Sequence, residues 1–115
     1  MKSDDLQKST ADKRYIWIQG VVANASNAEL REAVSFLVDT GAGITVIPEG
    51  VAKRLKLRRM GEIDIVLADG SVIKAWLGYV YIYVAEEGIL TLVTVGADEA
   101  LLGVDVMGLL NLQVD

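Results

Sequence analysis

The chain is cut into short apolar runs, rich in β-branched residues, that turn residues separate at brief intervals. Tyr15–Ala23 (YIWIQGVVA), Ile44–Pro48 (ITVIP), Glu62–Ala68 (EIDIVLA), Ser71–Ala85 and Ile89–Val95 all read as strands. None is long enough for a membrane helix, which needs roughly 18 apolar residues. Asp69-Gly70 marks a hairpin between two of these runs, and Glu86-Glu87-Gly88 marks a second turn. Only two segments invite helix. Pro48 suits the first turn of a helix through EGVAKRLKL, and Val104–Leu110 suits one or two turns. Leu30–Val38 is ambiguous: Ser26 with Glu29 would make a capping box for a helix from Ala28, and the alternative is a strand from about Leu30 paired back on the first. Asn111–Val114 reads as a closing strand. The fold class is therefore mainly β, a small closed barrel or sandwich with one or two short helices.

The chain has 115 residues, of which 52% are apolar, enough for one compact core. Met1–Arg14 is polar and mixed in charge and reads as a flexible tail before a single domain over 15–115. It has no apolar stretch of signal-peptide type, so a soluble cytoplasmic protein with no membrane contact is the expectation. The net charge of −5 and the single basic cluster, Lys53 to Arg59, argue against a nucleic-acid partner.

Histidine and cysteine are both absent. Ser-His and Cys-His catalysis, histidine-ligated zinc and disulfides are excluded together. Any chemistry falls to carboxylates, hydroxyls, lysine or the backbone, and no metal or other cofactor is called for. One carboxylate stands out. Asp39 follows the apolar run Phe36-Leu37-Val38 and precedes Thr40-Gly41-Ala42. An acid against core strand material is costly unless it is paired or used.

Leu37-Val38-Asp39-Thr40-Gly41-Ala42, followed far downstream by Leu101-Leu102-Gly103, resembles the retropepsins, the retroviral-type aspartic proteases. The resemblance favours the strand reading of Leu30–Val38. It implies that Asp39 is catalytic and that Thr40, Gly41, Ala42, Leu102 and Gly103 support the active-site loop. It places a flap at Ala68, Asp69 and Gly70, and pocket walls at Leu37, Val38, Ala42, Leu101 and Val104. Only one Asp-Thr-Gly is present, so a two-carboxylate site implies a homodimer, with an extended peptide as substrate. The closing strand is then the expected interface strand. Many retropepsins carry an acid shortly after the first motif and an arginine after the second-motif glycine. Here those places hold Ile44 and Val104.

Three other readings compete. DTGAGIT faintly resembles the phosphate loop of actin-like and sugar kinases, but the chain is too short for two lobes and lacks a Walker-type lysine. The fold could serve as a catalytically weak dimeric peptide-binding module. Asp39 could also simply cap a turn by accepting backbone N–H bonds.

Overall fold

The computed structural model describes residues 15–66 and 69–111. They form β1 (Trp17–Asn24), β2 (Arg31–Val38), β3 (Val46–Pro48), α1 (Glu49–Arg54), β4 (Gly61–Val66), β5 (Val72–Val84), β6 (Glu87–Ala97), β7 (Leu101–Leu102) and α2 (Val104–Leu109). No helix among the described residues is long and apolar enough to cross a membrane. The expected tail, Met1–Arg14, lies outside the described residues, as does Ala68.

The strands pair in the order β1-β2-β7-β3-β6-β5-β4, and β1 also pairs with β5. Six strands therefore make a closed circuit and β4 is appended to it. The length of β5 allows this. Its first half, Val72 to Leu77, bonds β4, and Val80–Tyr83 on the same edge bonds β1. Its other edge is taken by β6. A closed circuit leaves few exposed strand edges to pair with other chains.

Alternation drives the core. On β2, Val34 and Phe36 are buried while Ala33 and Ser35 are exposed, the period expected of a strand with one core face. Phe36, Val22, Ile47, Ile82, Val93, Val95 and Leu102 fill the centre. Each such side chain contributes about 1.5–3 kcal/mol by leaving water. Trp76 is buried too, with its indole N–H donating to Glu49 Oε2 at 3.1 Å. The two helices are too short to persist alone. They are held by what they bury: Val51 and Ala52 from α1, Val106 and Met107 from α2.

Several sequence expectations need correction. Pro48 is the N-cap of α1, with ψ of 153°, and does not sit in its first turn. α1 stops at Arg54, because Leu55 caps it and Lys56 turns to φ 55°. The second turn sits at Ala85-Glu86, both with positive φ, so Glu87 and Gly88 already belong to β6. Leu101–Leu102, not expected as a strand, pairs with both β2 and β3. Asn111 lies in a turn with φ 56° rather than in a strand, and the rest of the expected closing strand falls outside the described residues.

Glu32 on β2 ties α1 to the barrel. Arg54 donates to both of its oxygens, Nε to Oε1 at 2.9 Å and Nη2 to Oε2 at 2.7 Å. The Arg54 hydrogen bonds hold the Glu32 carboxyl below its ordinary 4.5. A depressed folded-state value means the pair stabilises the fold above that pH and ceases to as acid protonates Glu32. Glu32→Gln should therefore cost about 0.5–1 kcal/mol near neutrality and less in acid as Glu32 becomes protonated, the modest size reflecting a largely solvent-exposed pair. Denaturant unfolding near neutrality and in acid measures the difference. An equal cost at both would show that the charge is not the cause.

Candidate active site

β2 delivers Asp39 and is gripped on both sides. Val38 donates its N–H to Ile16 O at 2.8 Å on the β1 side. Leu37 N–H bonds Ala100 O at 2.9 Å and Asp39 N–H bonds Leu102 O at 3.0 Å on the β7 side. The two segments singled out in the sequence are thus adjacent parallel strands, Leu37 opposite Leu101 and Val38 opposite Leu102.

Beyond Asp39 the chain turns at once. Asp39 O accepts Ala42 N–H at 3.1 Å, and Asp39 Oδ1 accepts Gly41 N–H at 2.9 Å. The turn-capping reading thus describes one carboxylate oxygen. The other has no partner among the described residues, and Asp39 is only half-buried. Gly41 matters for proximity rather than for an unusual φ: a Cβ there would lie 3.3 Å from Asp39 Oδ1. Thr40 is exposed.

Side chains opposite one another on paired strands share a face. Trp17, Leu37, Leu101 and Val46 are successive partners across β1, β2, β7 and β3. The core takes the other face, through Phe36 and Leu102. An apolar stripe therefore runs beside Asp39 on the outside of the barrel, with Trp17 54% exposed. Leu37 and Leu101 lie in it. Val38 does not: it packs against the core. Val104 is exposed at the start of α2, as is Ile44 in the loop, and Ala42 is half-buried between them. Asp69 and Gly70 lie in the loop joining β4 to β5, where Asp69 Oδ1 accepts both Ser71 N–H (2.9 Å) and Ser71 Oγ–H (2.6 Å). These bonds, the hydroxyl's first, lower the Asp69 pKa. No contact joins this loop to Asp39 among the described hydrogen bonds.

Comparison with known proteins fits this geometry. A family model described as "gag-polyprotein putative aspartyl protease" matches residues 30–108, well over half of the chain. The chain belongs to that family. Two solved structures share its fold. EIAV protease, complexed with the inhibitor HBY-793, superposes with a TM-score of 0.72 at 19% identity, covering 94% of this chain and 99% of that one. The simian foamy virus (mac) protease, a solution structure, gives 0.60 at 17% identity, covering 87% and 100%. No curated protein matches the chain in sequence.

One feature of this gag-type aspartyl protease chain escapes the motif reading. Thr45 is fully buried. Its hydroxyl accepts Gly103 N–H at 2.9 Å and donates to Asp105 Oδ1 at 3.0 Å, while Asp105 Oδ1 also accepts Val106 N–H at 2.7 Å. Val104 N–H bonds Ala42 O at 2.9 Å alongside. The Asp39 loop and the start of α2 are thereby stitched together where Ile44 and Val104 make no charged pair. Gly103 permits the approach, since a Cβ there would stand 2.8 Å from Ala42 O and 2.9 Å from Ile44 C. A threonine in an apolar run, four residues before a helix and six after an acid, gave no signal of this by itself. Trp17 and Val46 were missed for a related reason, because their place in the stripe depends on strand register.

Thr45→Val keeps the shape and removes the hydroxyl, leaving the buried Gly103 N–H without its acceptor. It should destabilise the fold by about 1–3 kcal/mol, and Thr45→Ser should restore most of that. Equilibrium unfolding of the three proteins decides it. A Val variant as stable as wild type would show that the hydroxyl carries no stabilising bond.

Proposed function

We propose that the protein is a homodimeric aspartic endopeptidase in which two copies of Asp39, one per subunit, form the catalytic pair. The observation that carries this reading is the placement of Asp39. A single acid ends a core strand with one oxygen held by Gly41 N–H and the other unpartnered among the described residues. It stands beside an outward apolar stripe that a second copy and a substrate would cover. Family membership supports the same chemistry.

Two acids in contact cannot both ionise cheaply, so they share one proton and titrate as a pair. The ionised member takes a proton from a water lying between them, and that water attacks the scissile carbonyl. The protonated member hydrogen-bonds the carbonyl oxygen and later protonates the leaving nitrogen. Thr40 lies outward in the same loop, where it meets its counterpart across the two-fold axis. Gly41 keeps the space beside the carboxylate open. Leu102 and Gly103 hold the loop from beneath, and Leu37 and Leu101 offer an apolar wall for substrate side chains. The loop carrying Asp69 and Gly70 closes over an extended peptide and binds it through the main chain.

Asp39→Asn should abolish cleavage of an apolar-rich peptide library, in a protein that unfolds at the same denaturant concentration as wild type. Because the site is composite, mixing is the sharper test. Equimolar Asp39→Asn chain, after subunit exchange, should cut activity per wild-type chain to about half, since random pairing leaves half of the active chains with an inert partner. Unchanged activity in the mixture would mean that each chain works alone. Activity should also fall on both the acid and the alkaline side of its optimum, as a singly protonated pair demands. A rate that climbed steadily into alkali would contradict the pair.

A further inference from the structure

The far end of the β1–β2 hairpin carries a second concave surface. Trp17 and Leu37 mark the Asp39 end of the hairpin and Ala23 and Arg31 the other, roughly 20 Å apart at about 3.3 Å per strand residue. A cleft of about 520 Å³ opens just beyond, lined by Asn24 to Ser26, Lys56 to Arg58, Met60, Tyr79 and Leu90. That volume lies in the range of ordinary ligand sites.

The floor is fixed. The Asn24 amide donates to Leu55 O at 2.8 Å and Lys56 O at 3.2 Å, and its oxygen accepts the N–H groups of Ser26 (2.7 Å) and Asn27 (3.1 Å). One side chain thus staples the β1–β2 turn to the exit of α1. The walls are apolar and uncovered: Met60, Tyr79 and Leu90 are each about half exposed, at 52%, 45% and 53%. Tyr79 and Leu90 stand on one face of the β5–β6 pair, since Tyr79 opposes Leu92 and Leu90 is two residues away.

The charge is one-sided. Among the described residues of the lining, Lys56 and Arg58 are the charged side chains, and both are positive, in a chain of net charge −5. Within the same basic cluster, Arg54 is engaged with Glu32 and Arg59 with Glu49 and Glu62. Neither Lys56 nor Arg58 has a carboxylate in ion-pair reach among the described residues. Lys56 moreover holds φ 55°, a left-handed turn that glycine would adopt without strain. Lysine there carries a backbone cost that glycine would avoid.

We propose that this cleft docks a polypeptide segment in which acidic residues alternate with bulky apolar ones, the acids meeting Lys56 and Arg58 and the apolar side chains resting on Met60, Tyr79 and Leu90. The half-open walls suit a chain lying across them. The site is separate from Asp39 and does not depend on the proteolytic reading.

The test uses the full chain carrying Asp39→Asn, so that no probe is cut. A blocked, fluorescein-labelled pentapeptide of leucine, glutamate, phenylalanine, aspartate and leucine is titrated by anisotropy and by amide shifts. A matched peptide with lysines for the acids is the control. The acidic peptide should bind, weaken as salt rises, and shift amides at 24–26, 56–60, 79 and 90. Charge reversal at both Lys56 and Arg58 to Glu should weaken it by about tenfold or more, and Leu90→Ser should weaken it as well. Lys56→Gly separates binding from folding: it should lower affinity while leaving the thermal midpoint equal or higher. The proposal is overturned if the lysine peptide binds equally well, or if the doubly reversed variant keeps wild-type affinity. It is equally overturned if the shifts fall on 37–45, if decanoate binds the cleft where the peptide does not, or if Leu90→Ser changes only the oligomeric state.

Discussion

The parallel pairing of β2 with β7 is the contact on which the rest of the molecule depends. It is two residues long, Leu37–Val38 against Leu101–Leu102. So short a ladder would be weak on its own, and it holds because everything around it is satisfied. Leu102 is fully buried, its carbonyl takes the Asp39 N–H, and the next residue has no side chain to keep the loop away. The same two strands also turn Leu37 and Leu101 outward beside Asp39. Core packing and site geometry are therefore one feature, and a shift of register by one residue would swap the two faces.

The retropepsin-like fold was readable because its strands are written in an unmixed alphabet. β-branched runs, the Asp69-Gly70 punctuation and a lone proline before a helix each mean one thing locally. Leu30–Val38 shows the limit. Its local pattern allowed a helix from Ala28, and only the motif after it favoured a strand. What decides in the structure is pairing with β1 along its whole length and with β7 at its end, which no local window contains. The turn at Ala85-Glu86 was misplaced for a similar reason. Both residues take positive φ without the glycine or asparagine that usually announces it, because the register of β5 on β6 imposes the turn.

Site legibility follows the same division. Asp39, Gly41 and Gly103 stand out in the sequence because an acid after a strand and glycines beside it are unusual choices. Thr45 and Asp105 do not, since threonine is an ordinary strand residue and Asp105 an ordinary first-turn acid. Their meaning is a hydrogen bond between positions sixty residues apart in the chain. Trp17 and Val46 are likewise ordinary strand residues until register aligns them. Side-chain type reveals chemistry, whereas three-dimensional pairing reveals support, and most of this site is support.

The support is also chemically distinctive. An exposed ion pair between the Asp39 loop and the start of α2 would be screened by solvent and salt and contribute little. Here Ile44 and Val104 occupy those places and remain exposed, and the link moves inward to a neutral hydroxyl on Thr45 that both donates and accepts. A buried hydroxyl with both functions satisfied costs little to bury and is insensitive to salt. The rim around Asp39 is left apolar, with Trp17, Ile44 and Val104 uncovered. In the proposed dimer, covering such a rim draws on area removed from water rather than on charge. Dimerisation and substrate capture would then lean on the same apolar surface, and the subunit interface and the binding cleft would be continuous.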